Sequence, residues 1–280
     1  MGTTQLSFPG LGIGEFTVDS VAFRIGSLEI AWYAIIITLG MVAAICYAIT
    51  QSKKIGISSD EILDFVIFAI PIGIIGARLY FVFSKLDQYS SLGEMLNIRN
   101  GGLAIYGGLI AGTATVLVMC RIKHIKFMAL ADCVMPGVIL AQAIGRWGNF
   151  MNGEAFGAQT EIFCRMGIVN HITGYKLVYV HPTFLYESLW NIIGFLLIFF
   201  LVRRLKQYDG QIFIITCAWY GLGRMLIEGL RADSLYTHIG SLTFRTSQVL
   251  AGAILIVCIA TLIYFAIKKP SGEFYKKEQK

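Results

Sequence analysis

The stretch GRWGNFMNGEAFG, residues 145–157, places Arg146, Asn149, Asn152 and Glu154 among glycines and aromatics directly after an apolar run. A guanidinium offers a rigid fork of donors and stays ionised at physiological pH, which suits phosphate oxygens. Amide side chains add donors, and glycines let the backbone come close to a ligand. A second set, Tyr220, Arg224, Glu228 and Arg231 in YGLGRMLIEGLRADS, recurs at i, i+4, i+8 and i+11. That spacing lines one face of a helix. Arg78 in GARLYFV and His181, Tyr186 and Glu187 in HPTFLYES are the other polar groups of interest. Together they point to an anion site, and in a membrane the nearest anion is a lipid phosphate.

The elements that must position these residues are membrane elements. With 56% hydrophobic residues, 14% charged residues and a mean hydropathy of +0.69, the chain lies outside the range of soluble domains. Seven apolar stretches run near 28–50, 62–83, 101–120, 127–146, 182–202, 211–230 and 247–267. Each approaches the length that crosses about 30 Å of hydrocarbon. Helices are expected throughout, because lipid offers backbone groups no other partner and no ten-residue alternating pattern is present. The expected fold class is all-α, a polytopic membrane protein with about seven transmembrane helices in a single integral membrane domain, 1–280.

Basic residues prefer cytoplasmic loops. The connections QSKKIG, RIKHIK and RRLKQ and the tail KKPSGEFYKKEQK carry 13 Lys and Arg, against 8 on the opposite side. This predicts an extracytoplasmic N-terminus and a cytoplasmic C-terminus. Residues 1–27 then form an extracytoplasmic arm, 147–181 an extracytoplasmic loop region and 268–280 a cytoplasmic basic tail. The same bias accounts for the net charge of +6 and the pI of 9.0, so no nucleic-acid partner is implied. No basic segment precedes the first apolar run, unlike a cleaved signal peptide. Six scattered cysteines without a CxxC pair indicate neither a disulfide framework nor a zinc site. GLIAG, 108–112, has the spacing of close helix packing and says nothing of function.

On this topology the polar residues converge on the outer half of the membrane, where each charge costs about 2.5–3.5 kcal/mol on insertion scales. Asp64 and Asp132 lie toward inner helix ends and are assigned no chemistry. Two blander readings stand beside the anion site. Arg224 and Glu228 at i, i+4 can simply neutralise each other, and 145–157 can be an interfacial loop anchored by Trp147 and Phe150. Arg78, Arg146 and Arg231 exceed what one such pair uses, and a bound anion accounts for the surplus.

GRWGNFMNGEAFG resembles the signature of the prolipoprotein diacylglyceryl transferase family. The likeness continues in order through WY (32–33), GARLYFV (76–82), GGLAIYGG (101–108), HPTFLYES (181–188) and YGLGRMLIEGLRADS (220–234), over most of the chain. The resemblance implies an enzyme of the bacterial cytoplasmic membrane. It would move the diacylglyceryl group of phosphatidylglycerol to the lipobox cysteine in the signal peptide of a prolipoprotein, leaving a thioether and releasing glycerol phosphate. It also implies that Arg146 and Arg224 are the two arginines the family needs, that Asn149 and Glu154 are signature polar residues, and that Tyr33 and Glu228 are further functional positions. Tyr106 departs from the histidine that many members carry before the two glycines, and a tyrosine, with its pKa near 10, is normally a donor rather than a base.

In that reaction the nucleophile belongs to the substrate, and a free thiol is only slightly ionised at pH 7. Arg146 and Arg224 would stabilise both the leaving phosphate and the thiolate. Arg146, Asn149, Asn152, Tyr33, Arg78, Tyr220 and Arg231 would hold the lipid, and Arg146, Arg224, Glu228, Tyr106 and Glu154 would serve the chemistry. Glu154, Glu228 and His181 are alternative bases, although a carboxylate paired to arginine is a poor one. Tyr186 and Glu187 read as structural. Neither HExxH nor clustered Cys and His is present, consistent with no metal and no cofactor. A transporter would show paired halves with interrupted helices, and an intramembrane protease a Ser–His pair, paired aspartates or HExxH; neither pattern is visible. A non-catalytic lipid-binding scaffold fits the residue types alone.

Overall fold

The computed structural model describes residues 2–26, 28–89, 91–97, 101–232, 236–239, 242–268 and 274–276. Asp233, Ser234 and most of the 268–280 tail lie outside them. The chain divides into two compact units, Met1–Tyr47 with Val134–Glu273, and Ala48–Cys133 with Phe274–Lys280.

The first unit corrects the all-α expectation. Strand β1 (Thr3–Phe8) pairs antiparallel with β2 (Ile13–Asp19) and with β5 (Met166–Val169), and β5 pairs with β6 (Val178–Val180), giving the order β2-β1-β5-β6. Leu6, Phe8, Met166, Ile168 and Val180 form its core together with Phe184. Within the 1–27 segment, β1 is a central strand of this sheet. These strands have three to seven residues, so a search for membrane-length patterns passes over them. A second hairpin, β3 (Val21–Ile25) and β4 (Leu28–Ala31), runs straight into helix α1 (Trp32–Ser52), whose first amide donates to Ser20 O at 3.0 Å.

In the second unit, Ser58 and Glu61 cap helix α2 (Ser59–Phe83) reciprocally, each side chain accepting the other's amide. After the short helix α3 (Leu92–Leu96) comes α4 (Ile105–Ile122). Cβ atoms added at Gly76 or Gly108 would stand 2.8 Å from Gly107 O or 3.3 Å from Gly73 O, so α2 and α4 meet backbone to backbone. GLIAG is thus a packing motif. Asp64 pairs with Lys123 at 2.6 Å.

Helix α5 (Phe127–Asn152) enters the first unit, where α6 (Thr183–Phe200), α7 (Gln211–Glu228), the hairpin β7 (Tyr236–Ile239) and β8 (Leu242–Arg245), and α8 (Thr246–Lys268) follow. A Cβ added at Gly40 or Gly137 would stand 3.0 Å from Ala141 O or Ala44 O, which packs α1 tightly on α5. Among the described residues six helices, α1, α2, α4, α5, α6 and α8, are long and apolar enough to cross a membrane. The expected span at 211–230 forms α7, as long as α4 and α6 but outside those six. Its charged pair, Arg224 and Glu228, lowers its hydropathy.

Candidate active site

Three helix ends carry the site. Arg146 lies in the last two turns of α5, Glu187 in the second turn of α6, and Arg224 and Glu228 in the last turns of α7. α5 and α6 are tied where these residues meet, because Ser188 Oγ donates to Ala143 O at 2.9 Å and accepts from Trp147 Nε1 at 3.2 Å. Phe150 stacks on Phe184 with ring centroids 4.6 Å apart and packs against the core of the four-stranded sheet. It is a core residue, not the free membrane anchor of the interfacial-loop reading.

Beyond α5 the chain turns at Gly153, whose φ of +63° favours glycine. Fully buried Asn170 holds that turn. Its Nδ2 donates to Gly153 O at 2.7 Å, and its Oδ1 accepts from the amides of Ile172 and Thr173. Residues 155–160 then form a strap that ties the end of α7 to the start of α6. Ala158 N donates to Leu230 O at 2.7 Å, Gly157 N to His181 O at 2.9 Å, and Thr183 Oγ1 to Ala155 O at 2.6 Å. A Cβ at Gly157 would meet Leu230 O at 2.8 Å and Thr183 Cγ2 at 3.0 Å, so only glycine fits.

The charges form one connected network. Glu187 Oε2 meets Arg146 Nη2 and lies 3.6 Å from Arg224 Nη1, while its Oε1 lies 3.4 Å from Arg231 Nη1. Arg224 Nη2 reaches Glu228 Oε2 at 2.7 Å. From Arg146, Nη1 donates to Asn149 Oδ1 at 3.3 Å, and the amides of Asn149 and Asn152 both donate to Glu154 Oε1 at 3.1 Å. The three guanidinium side chains are only 24%, 18% and 11% exposed, and that of Glu228 only 2%. Their mutual repulsion is poorly screened there, so the carboxylates among them are needed. Tyr33 packs on Gly148 and interacts electrostatically with Glu154 and Arg146, as Tyr220 does with Arg146.

Nine predicted residues therefore assemble in one unit: Tyr33, Arg146, Asn149, Asn152, Glu154, Tyr220, Arg224, Glu228 and Arg231. Arg78 and Tyr106 belong to the other. The Arg78 guanidinium donates to four backbone carbonyls, Met95 O at 2.7 Å, Gly101 O at 2.7 Å, Glu94 O at 2.9 Å and Gly102 O at 3.0 Å. Those contacts tie α2 to the end of α3 and to Gly101 and Gly102 before α4. Tyr106 stands half-exposed in the first turn of α4. His181 Nδ1 lies 3.3 Å from Tyr186 Oη, which is 3.4 Å from Cys164 Sγ, so this candidate base is engaged in a contact of its own.

Glu187 is what the sequence reading undervalued. A carboxylate one turn into α6 draws no attention until three arginines from three segments are seen to converge on it. The surplus of cations is also smaller than arginine counting implies, because two buried carboxylates stand among three arginines and Arg78 is engaged elsewhere.

Membrane-length helices whose ends hold a buried network of ionised side chains define a polytopic membrane protein with a polar site at helix ends. The model of the prolipoprotein diacylglyceryl transferase family matches residues 20–264, and the chain belongs to that family. It is an enzyme, a diacylglyceryl transferase of lipoprotein biosynthesis. It is similar to proteins named phosphatidylglycerol–prolipoprotein diacylglyceryl transferase from Listeria welshimeri, 42% identical over 92% of this chain and 94% of that one, and from Finegoldia magna, 45% identical over 89% and 96%. A third, from Clostridium perfringens, is 42% identical over 92% of this chain and 99% of its own length.

Proposed function

We propose that this transferase takes the diacylglyceryl group from phosphatidylglycerol and places it on the thiol of the lipobox cysteine of a prolipoprotein signal peptide, in a bacterial cytoplasmic membrane. The sulfur attacks the glyceryl carbon that bears the phosphate oxygen. A C–S bond forms, the C–O bond breaks and glycerol phosphate leaves. Its developing charge is met by Arg146 and Arg224, held at the same end of the bundle by Glu187. The observation that carries this reading is the convergence of Arg146, Arg224 and Arg231 on that one carboxylate. Two carboxylate oxygens leave guanidinium donors, five to each arginine, for phosphate oxygens.

The thiol proton goes to Glu154. Both neighbouring amides bind its Oε1, and among the described residues its carboxylate makes no ion pair, whereas Glu228 is held by Arg224. Tyr33, Asn149, Asn152, Tyr220 and Arg231 border the lipid phosphate. α7 crosses the membrane as a seventh span, with residues 147–181 and the N-terminus outside and the tail inside, on the strength of the basic-residue asymmetry.

Incubating the purified protein with phosphatidylglycerol and a lipobox peptide tests the reaction. The peptide gains the mass of one diacylglyceryl unit, and a Cys-to-Ser peptide does not; no gain on the cysteine peptide overturns the reading. For topology, an impermeant thiol reagent on intact cells carrying cysteine-depleted protein labels Thr160→Cys and spares Lys276→Cys. The opposite pattern inverts the orientation.

A further inference from the structure

The sequence repeats one pattern on two neighbouring helices, WNIIG at 190–194 on α6 and WYGLG at 219–223 on α7. In the fold the two are reciprocal. The Trp190 and Trp219 indoles stack with centroids 4.3 Å apart and planes at 19°, and each Nε1 donates to the other's main-chain carbonyl at 3.1 Å. Each indole edge also occupies the place a Cβ would take on the opposing glycine, Trp190 against Gly223 and Trp219 against Gly194. The physical reason lies in the spacing. Residues i and i+4 share a helix face, so a glycine four residues on uncovers the tryptophan's carbonyl, whose second lone pair accepts a donor from the side. A buried indole N–H needs such a partner.

We propose that this double Trp–Gly contact is the positioning device of the arginine network, with Trp190, Trp219, Gly194 and Gly223 as positioning residues. Glu187 lies one turn before Trp190, and Arg224 directly follows Gly223. The register that seats Trp190 on Gly223 therefore brings Glu187 to 3.6 Å from Arg224. A slip of one residue, about 1.5 Å along the axis, breaks both indole bonds and carries the two charges apart. Because the contact is made in both directions, it resists sliding and rotation together, which one ion pair between long side chains does not.

The inference rests on the proposed role of Arg224 in transfer, and a double-mutant cycle separates the two. Gly223→Ala inserts a methyl where the Trp190 indole lies. In the purified protein, with phosphatidylglycerol and lipobox peptide, it is expected to lower kcat at least tenfold, with KM changed less than about threefold. In an Arg224→Met background it is expected to cost less than a further twofold, since the residue it misplaces is already gone. Full activity of Gly223→Ala overturns the proposal, and so does a loss that multiplies unchanged onto that of Arg224→Met, the mark of general destabilisation. If Gly223→Ala does not fold, Trp190→Phe removes one donor without adding volume. It is expected to lower kcat about threefold with the same lack of additivity, and wild-type kcat overturns the proposal. Full activity of Arg224→Met alone sinks the assignment of the site instead.

Discussion

Two parts of this molecule bury arginine, and they use it in opposite ways. In the α2–α4 unit, Arg78 faces four neutral carbonyls, two in α3 and two at Gly101 and Gly102. At the ends of α5, α6 and α7, three arginines face ionised carboxylates and one another. Carbonyl dipoles satisfy a guanidinium without neutralising it. Carboxylates shared among arginines leave donors that a phosphate oxygen can take up. An arginine at membrane depth is therefore not a phosphate site by type alone; the partners it has in the resting enzyme decide whether it can serve as one.

That contrast is open to test, and the sharpest break is at Arg224. Arg224→Met is expected to slow diacylglyceryl transfer on the order of 100-fold or more, by analogy with loss of a charge-stabilising donor. The double variant Arg224→Met with Glu228→Gln, which leaves no unpaired charge in that pair, should fold yet stay inactive. Recovery of transfer in it would reduce Arg224 to a structural partner of Glu228. At the centre of the network, Glu187→Gln keeps the shape and removes the charge that three guanidiniums share. It should cost about 3 kcal/mol of stability, the scale of breaking a buried ion pair, and at least tenfold in transfer. A melting temperature in detergent equal to that of the parent contradicts the central place given to Glu187.

Gly157→Ala tests the strap, since its methyl meets Leu230 O and Thr183. A destabilisation of about 1–3 kcal/mol, as for overpacking, should appear in thermal melts, with a several-fold loss of transfer. Arg78→Met is the counterpart from the other unit. It strips four carbonyls of their donor and should lower stability by about 2 kcal/mol, with transfer per folded molecule within about twofold of the parent. A hundredfold loss of transfer there erases the distinction between the two regions. The smallest effect is expected at Ser58→Ala, where loss of the α2 cap costs about 1 kcal/mol in the same melts and leaves transfer unchanged.

Much of the fold was legible because lipid permits few structures. Each expected apolar stretch corresponds to a long helix, and the glycines of GLIAG pack as their spacing implies. The strands escaped notice for the converse reason. β1, β5 and β6 share one small core with Phe184 and Phe150, and β1 meets β5 through pairings between residues about 160 positions apart, such as Leu6 with Ile168. No local periodicity records such a pairing.

For the site, residue types and helical spacing drew attention to Arg146, Asn149 and Asn152 in a glycine-rich turn and to Arg224 and Glu228 at i, i+4, whereas the roles expected of Glu154 and Glu228 came from the family resemblance. Which cations share which anion was decided only in three dimensions. Glu187 meets three arginines, and Arg78 meets four carbonyls, through contacts that no local spacing records. Coulomb and hydrogen-bond energies depend on distances of a few ångströms, and those distances are set by the register of α5, α6 and α7, which the glycines, Ser188 and the paired tryptophans impose once the helices have packed.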